Sequence, residues 1–123
     1  MVFQGNSRGH LKIRELLEEN NYDFQEEYSF DDLRASSGRL LAFDFMVFDD
    51  VGEIDFAIEV NGEQHYQAVE AFGGEKKFKR QQYNDKQKEM YCRRNSITLI
   101  EIPYWELEMV DFDYIYERAE GLI

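Results

Sequence analysis

Two carboxylates interrupt segments that are otherwise apolar, Asp44 in AFDFM and Glu59 in AIEVN. A buried charge is costly unless a cation or hydrogen-bond donors compensate it, so each acid needs a reason. Side chains alternate along a strand, which predicts that Asp44 shares a face with Ala42 and Met46, and Glu59 with Ala57 and Asn61. If the two strands pair, both acids point the same way. They then form an oxygen-rich site suited to a hard cation such as magnesium, which takes one or two carboxylates together with water and substrate phosphate. Either acid alone would serve as well by pairing with an arginine or capping a backbone group; two in adjacent strands tip the balance toward metal.

Beyond Glu59, the string NGEQHYQ sets Gln64, His65 and Tyr66 after a glycine turn at a strand end, a usual place for functional side chains. His65 fits three roles: metal ligand, proton carrier or turn-packing imidazole. Cys92 reads as a small buried hydrophobe, because nothing around it completes a nucleophilic site. Residues 75–94 hold eight bases (Lys76, Lys77, Lys79, Arg80, Lys86, Lys88, Arg93, Arg94) against three acids, a local +5 that leaves −17 on the remainder of a chain of net charge −12. That asymmetry suits a cationic surface for a polyanion, or else a solvated helix face. The tail carries Trp105, Phe112, Tyr114 and Tyr116 among seven acids from 101 to 120. It reads as a helix covering the sheet rather than a base-stacking platform, since those acids repel phosphate.

Elements must hold these residues in place. Ser7 precedes a helical pattern with Ile13, Leu16 and Leu17 on one face and Asn20-Asn21 to close it, which predicts a helix over 8–20. His10 stands where a capping box would have Glu or Gln. Aromatics on even positions (Tyr22, Phe24, Tyr28, Phe30) predict a half-buried strand over 22–30. LLAFDFMVF predicts a central strand over 40–48, DDVG a turn, and FAIEV a third strand over 56–60 closed by Asn61-Gly62. The breaker-free basic stretch predicts a helix over 75–95, then a strand over 97–102 ended by Pro103, and a last amphipathic helix over 105–119. The order α-β-β-β-α-β-α implies an α/β fold with a mixed four-stranded sheet flanked by helices, in which the fourth strand can pair in parallel.

With 123 residues, 43% hydrophobic and 15% aromatic, the chain predicts a single domain over 1–123, its core at 7–104 and its C-terminal helix at 105–120. No apolar run approaches the about 18–20 residues of a bilayer span, and MVFQGNSRGH lacks the apolar centre of a secretory signal. One cysteine builds neither a disulfide framework nor a cysteine-rich zinc site. Together these features predict a cytoplasmic protein with no membrane partner.

The order of elements, with an acid in the second strand and another in the third, resembles the PD-(D/E)xK nuclease superfamily over roughly 7–104. The strings LLAFDF, IEVNGEQHY, FGGEKKF, NDKQKEMYC and ITLIEIPY are together similar to a small, mostly phage-borne group of that superfamily, related to free-standing homing-type endonucleases. The resemblance implies a restriction-endonuclease-like fold and a metal-dependent endonuclease hydrolysing phosphodiester bonds in DNA. Its cofactor would be Mg2+ or Mn2+, with Asp44 and Glu59 as the metal-binding acids. Asn61 stands where the superfamily motif carries a lysine that holds or polarises the attacking water, leaving Gln64, His65, Lys86 or Lys88 to stand in. His10 stands where the group's first helix often carries a glutamate, and is a candidate for a further ligand. The basic helix (Lys76, Lys77, Lys79, Arg80, Lys86, Lys88) would contact phosphates, and cutting both strands would need a homodimer. His10, Asn61 and the charge of −12 keep a second reading open: a catalytically reduced nuclease-fold module that binds nucleic acid or protein.

Overall fold

The computed structural model describes residues 7–68, 70 and 73–123, apart from the side chain of Gln64. The chain runs through helix α1 (Arg8–Glu19), strands β1 (Asp23–Arg34), β2 (Leu40–Phe48) and β3 (Ile54–Asn61), and a 3₁₀ turn (Glu63–His65). Helix α2 (Gly74–Arg94), strand β4 (Thr98–Pro103), a 3₁₀ segment (Tyr104–Met109) and helix α3 (Phe112–Ala119) complete it. The sheet order is β1-β2-β3-β4, antiparallel across the first three strands and parallel between β3 and β4. Helix α2 is the crossover that makes the parallel pair possible. This is the α/β fold with a mixed four-stranded sheet and C-terminal helix that the sequence predicts.

Two apolar clusters sandwich the sheet. Ile13 and Leu17 of α1 and Tyr114 and Ile115 of α3 pack on Phe45, Val47, Phe56, Ile58, Ile100 and Ile102. On the other face, Tyr91 and Cys92 of α2 pack with Phe43, Met46 and Ala57. Only the last turns of α2 are buried, so its basic first half projects into solvent.

The expected last helix over 105–119 is in fact two pieces. Residues 104–109 form 3₁₀ turns and Val110 is buried in an extended conformation. The Asp111 side chain then accepts from the Tyr114 amide at 2.9 Å, capping a new helix at Phe112.

A further correction concerns strand alternation, which reverses part-way along both β1 and β2. Tyr22 and Phe24 pack against the α1/α3 cluster, whereas Tyr28 and Phe30, also even-numbered, pack against the α2 cluster. In β2, Phe43 and Met46 lie in one cluster and Phe45 and Val47 in the other. Asp44 therefore does not share one face with both Ala42 and Met46. The reversals are side by side: Glu26 pairs with Phe45 and Tyr28 with Phe43, which sets Glu27 opposite Asp44. Glu27 holds a φ of +52°, a left-handed conformation uncommon outside glycine, and this lets one hairpin feed both clusters.

Candidate active site

The β2–β3 pairing reaches Phe45 and Ile58, and Asp44 and Glu59 are the next residues in line. Their carboxylates take over from the ladder. Val60 N donates to Asp44 Oδ2 at 2.7 Å, and Asp44 N donates to Glu59 Oε2 at 3.2 Å, so each acid is tied to the opposite strand. The two strand acids singled out in the sequence do meet.

Each acid also faces a basic side chain from a helix. Lys88 Nζ of α2, one turn before the buried Cys92, donates to Glu59 Oε1. The side chains of this pair retain only 13% and 7% of their exposure, and the ammonium lies 5.7 Å from the Phe43 ring centroid. From α1, His10 Nε2 lies 3.2 Å from Asp44 Oδ1, while its Nδ1 lies 2.7 Å from Ser7 Oγ. Gly9 lets α1 come this close, because a Cβ there would stand 2.7 Å from Val60 Cγ1. Arg14 anchors α1 to β1 through a two-pronged pair with Glu26, both contacts at 2.8 Å. The neighbouring Glu27 joins the group: one donor atom each from His10, Glu27 and Asp44 lie within 4.8 Å of one another.

The charges follow from these contacts. Burial works to raise Asp44, but hydrogen bonds to His10 and from the Val60 amide outweigh it and hold the carboxyl below its ordinary 3.8. The hydrogen bond to Asp44 outweighs burial at His10 and lifts the imidazole above 6.5. Burial and the Asp44 charge raise Glu27. The same two causes push Glu59 well up while Lys88 pulls it back, and Lys88 is raised because Glu59 outweighs its burial. Both Glu59 oxygens accept, one from an ammonium and one from an amide, the arrangement of a carboxylate in an ion pair.

The other residues predicted for the site lie elsewhere. Asn61 is buried and donates from Nδ2 to the Tyr66 hydroxyl at 3.3 Å. His65 Nδ1 lies 2.9 Å from Asp85 Oδ2, a pair completed by Gln81 Nε2 donating to Asp85 Oδ1, and it does not reach Asp44 or Glu59. The Gln64 side chain is outside the described residues. Lys86 is exposed on α2, as are Lys76, Lys77, Lys79 and Arg80, whereas Lys88, expected among the phosphate contacts, is turned inward onto Glu59. Sequence reasoning missed Glu27. The available signal was the acid doublet Glu26-Glu27 at the gap in the even-numbered aromatics of β1.

No protein-family model matches the chain and no solved structure matches it. It is similar to uncharacterized protein 307L of Invertebrate iridescent virus 6, 35% identical over 71 residues, which cover 57% of this chain and 35% of that protein. It is similar too to uncharacterized protein 033L of Invertebrate iridescent virus 3, 35% identical over 71 residues, covering 56% and 36%. The chain spans about a third of the length of these curated relatives. Among the described residues no helix is long and apolar enough to cross a membrane.

Proposed function

We propose that the chain is a metal-dependent DNA endonuclease of the PD-(D/E)xK kind, hydrolysing phosphodiester bonds. The observation that carries this reading is the buried lysine on the second of two adjoining strand acids. It supplies the chemistry of the superfamily motif, with Lys88 delivered from α2 in place of the residue at Asn61. The donor set fits a divalent cation, since two carboxylates and an imidazole converge within 4.8 Å.

Such a cation, Mg2+ or Mn2+, held at Asp44 and its neighbours, would lower the pKa of water and offset the charge developing on the phosphate. The chain's own groups do the rest. Lys88, positioned by Glu59, orients the attacking water and neutralises a non-bridging oxygen as the new P–O bond forms and the bond to the leaving oxygen breaks. The exposed Lys76, Lys77, Lys79, Arg80 and Lys86 hold the backbone by its phosphates. A homodimer would present two such sites to the two strands.

One observation favours a second reading, a catalytically reduced module that binds nucleic acid or protein. Both acids already have an internal basic partner, Lys88 on Glu59 and His10 on Asp44, so the chain itself satisfies the cluster.

Cleavage of supercoiled plasmid and of single-stranded DNA, with Mg2+ or Mn2+, separates the two. The expected result is ion-dependent cutting by the parent that is lost in identically purified, folded Asp44→Ala and Glu59→Ala. Equal cutting by all three, or none by any, overturns the nuclease reading; DNA retention without strand breaks would then support the binding module.

A further inference from the structure

We infer that Tyr66, Tyr104 and Trp105 form a docking surface for an arginine-bearing segment of a partner protein, whose guanidinium groups lie on the rings within the field of the acids around them. These three residues take no part in the chemistry proposed above, so the surface stands or falls independently of the nuclease reading.

The rings meet at the carboxyl ends of the parallel strands. Asn61 pairs with Pro103, and the chain leaves β4 directly into Tyr104 and Trp105. Tyr66, just past the 3₁₀ turn that follows β3, reaches both: its ring centroid lies 6.0 Å from that of Tyr104 and 4.7 Å from that of Trp105, which are 5.2 Å from each other. Asn61 Nδ2 donates to the Tyr66 hydroxyl and holds it. All three rings remain open to solvent, at 39%, 43% and 59% exposure in chain order.

Folding does not account for this arrangement. No residue of the 104–109 segment is buried, yet the segment is pinned: Lys12 Nζ donates to the Leu107 carbonyl at 2.7 Å, and the Tyr114 hydroxyl donates to Glu106 Oε1 at 2.7 Å. A pinned turn that leaves a tryptophan, a tyrosine and Met109 in water exposes a contiguous apolar surface of the kind that marks an interaction site. Tyr, Trp and Met are the residues enriched in protein interfaces, and rings fixed before binding lose little freedom on contact.

Charge selects the partner. Burial raises the Tyr66 hydroxyl above its ordinary 10, the Asn61 amide opposes this, and the charges of Glu101, Asp85 and Glu106 add to the rise, so the charges bearing most on the ring are negative. Such a field repels a nucleic-acid backbone and draws in a cation, which the face of an aromatic ring attracts as well. A guanidinium suits both demands, since it stacks flat on a ring while its edge donates to carboxylates. The chain makes the same contact within itself nearby: Arg118 Cζ lies 3.5 Å from the ring centroid of Tyr114, whose hydroxyl is bound to Glu106.

The test is titration of a hexa-arginine peptide into the full chain, followed by the fluorescence of Trp105, the chain's only tryptophan, and by calorimetry for variants. Binding should shift the emission and protect Trp105 from acrylamide quenching. Trp105→Ala and Tyr104→Ala should each weaken the peptide about fivefold or more, and Glu101→Gln about threefold or more. Asp50→Asn, an exposed acid in the turn at the far end of β3, should leave affinity within twofold. A hexalysine peptide should bind less tightly than hexa-arginine. Trp105 is exposed, so Trp105→Ala should melt within about 3 °C of the parent; should it not fold, Tyr104→Ala and the acrylamide protection in the parent read the same contact. No binding, equal binding by the parent and the folded ring variants, or hexalysine binding as tightly as hexa-arginine overturns the assignment. So does tighter binding of oligothymidylate or phosphatidylcholine vesicles, or self-association that shields Trp105 without peptide.

Discussion

Replacing Lys88 by methionine would leave Glu59 buried without its cation. The pair retains 13% and 7% side-chain exposure, so water can do little to compensate. Removing one partner of a buried pair costs about 3–5 kcal/mol, a large share of the about 5–15 kcal/mol that holds a domain folded. At roughly 3–5 °C per kcal/mol for a domain of this size, the melting temperature should fall by about 10–20 °C. The double variant Lys88→Met/Glu59→Gln removes both charges and keeps an amide oxygen for the Asp44 N–H, so it should recover about 2–3 kcal/mol of the loss. The defect should also depend on pH. Glu59 already lies well above 4.5, and loss of Lys88 raises it further. A group raised in the folded state stabilises most at low pH, and that stability disappears as pH rises through the folded value. The deficit of Lys88→Met should therefore be smaller at pH 5 than at pH 8. Urea unfolding followed by circular dichroism at both values, with unchanged m, measures this. A loss under about 1 kcal/mol at pH 8, or a double variant no more stable than Lys88→Met, would refute the idea that a desolvated ion pair sits at the centre of the site.

Three other perturbations probe the same frame. Gly9→Ala should cost about 1–3 kcal/mol in urea melts, because its methyl meets Val60 and α1 must back away with His10. The parent should lose stability as pH rises from about 6.5 through the elevated value of His10, in the same sense as Glu101, which burial and then Glu89 push up to about 7. Subtracting the curve of His10→Gln isolates the histidine part, and an unchanged slope would show that the His10–Asp44 contact is not formed in solution. Burial lifts the Cys92 thiol to about 12, so its reaction with a disulfide reagent should be negligible in the native protein and should track unfolding; rapid native reaction would contradict the packing beneath α2.

Much of the frame was legible in the sequence because period and punctuation carried it. LLAFDFMVF and FAIEV form the inner strands, Ser7 and Asn20-Asn21 delimit α1, and the breaker-free basic run is the crossover helix. The meeting of Asp44 with Glu59 was legible for a physical reason, since a carboxylate is seldom spent inside an apolar strand without a partner. The reversal at Glu27 was not, because period-two counting assumes an unbroken pleat and a left-handed glutamate leaves no signature in composition. The lysine on Glu59 was narrowed to a few residues but not chosen. Lys86 and Lys88 are two positions apart and so point to different sides of α2, and which side faces the sheet is set by Tyr91 and Cys92. The split of the last helix turned on Asp111 being a cap rather than one more acid in an acidic tail.

The exchange of ladder carbonyls for carboxylates at Asp44 and Val60 gives the protein two spectroscopic witnesses. In an ordinary sheet a peptide proton reports on its partner strand; here the amides of Asp44 and Val60 report on the ionisation and occupancy of the carboxylates they touch. A nitrogen–proton correlation spectrum would thus register a cation, a proton or a passing phosphate at the site through main-chain resonances, without any label placed in the site.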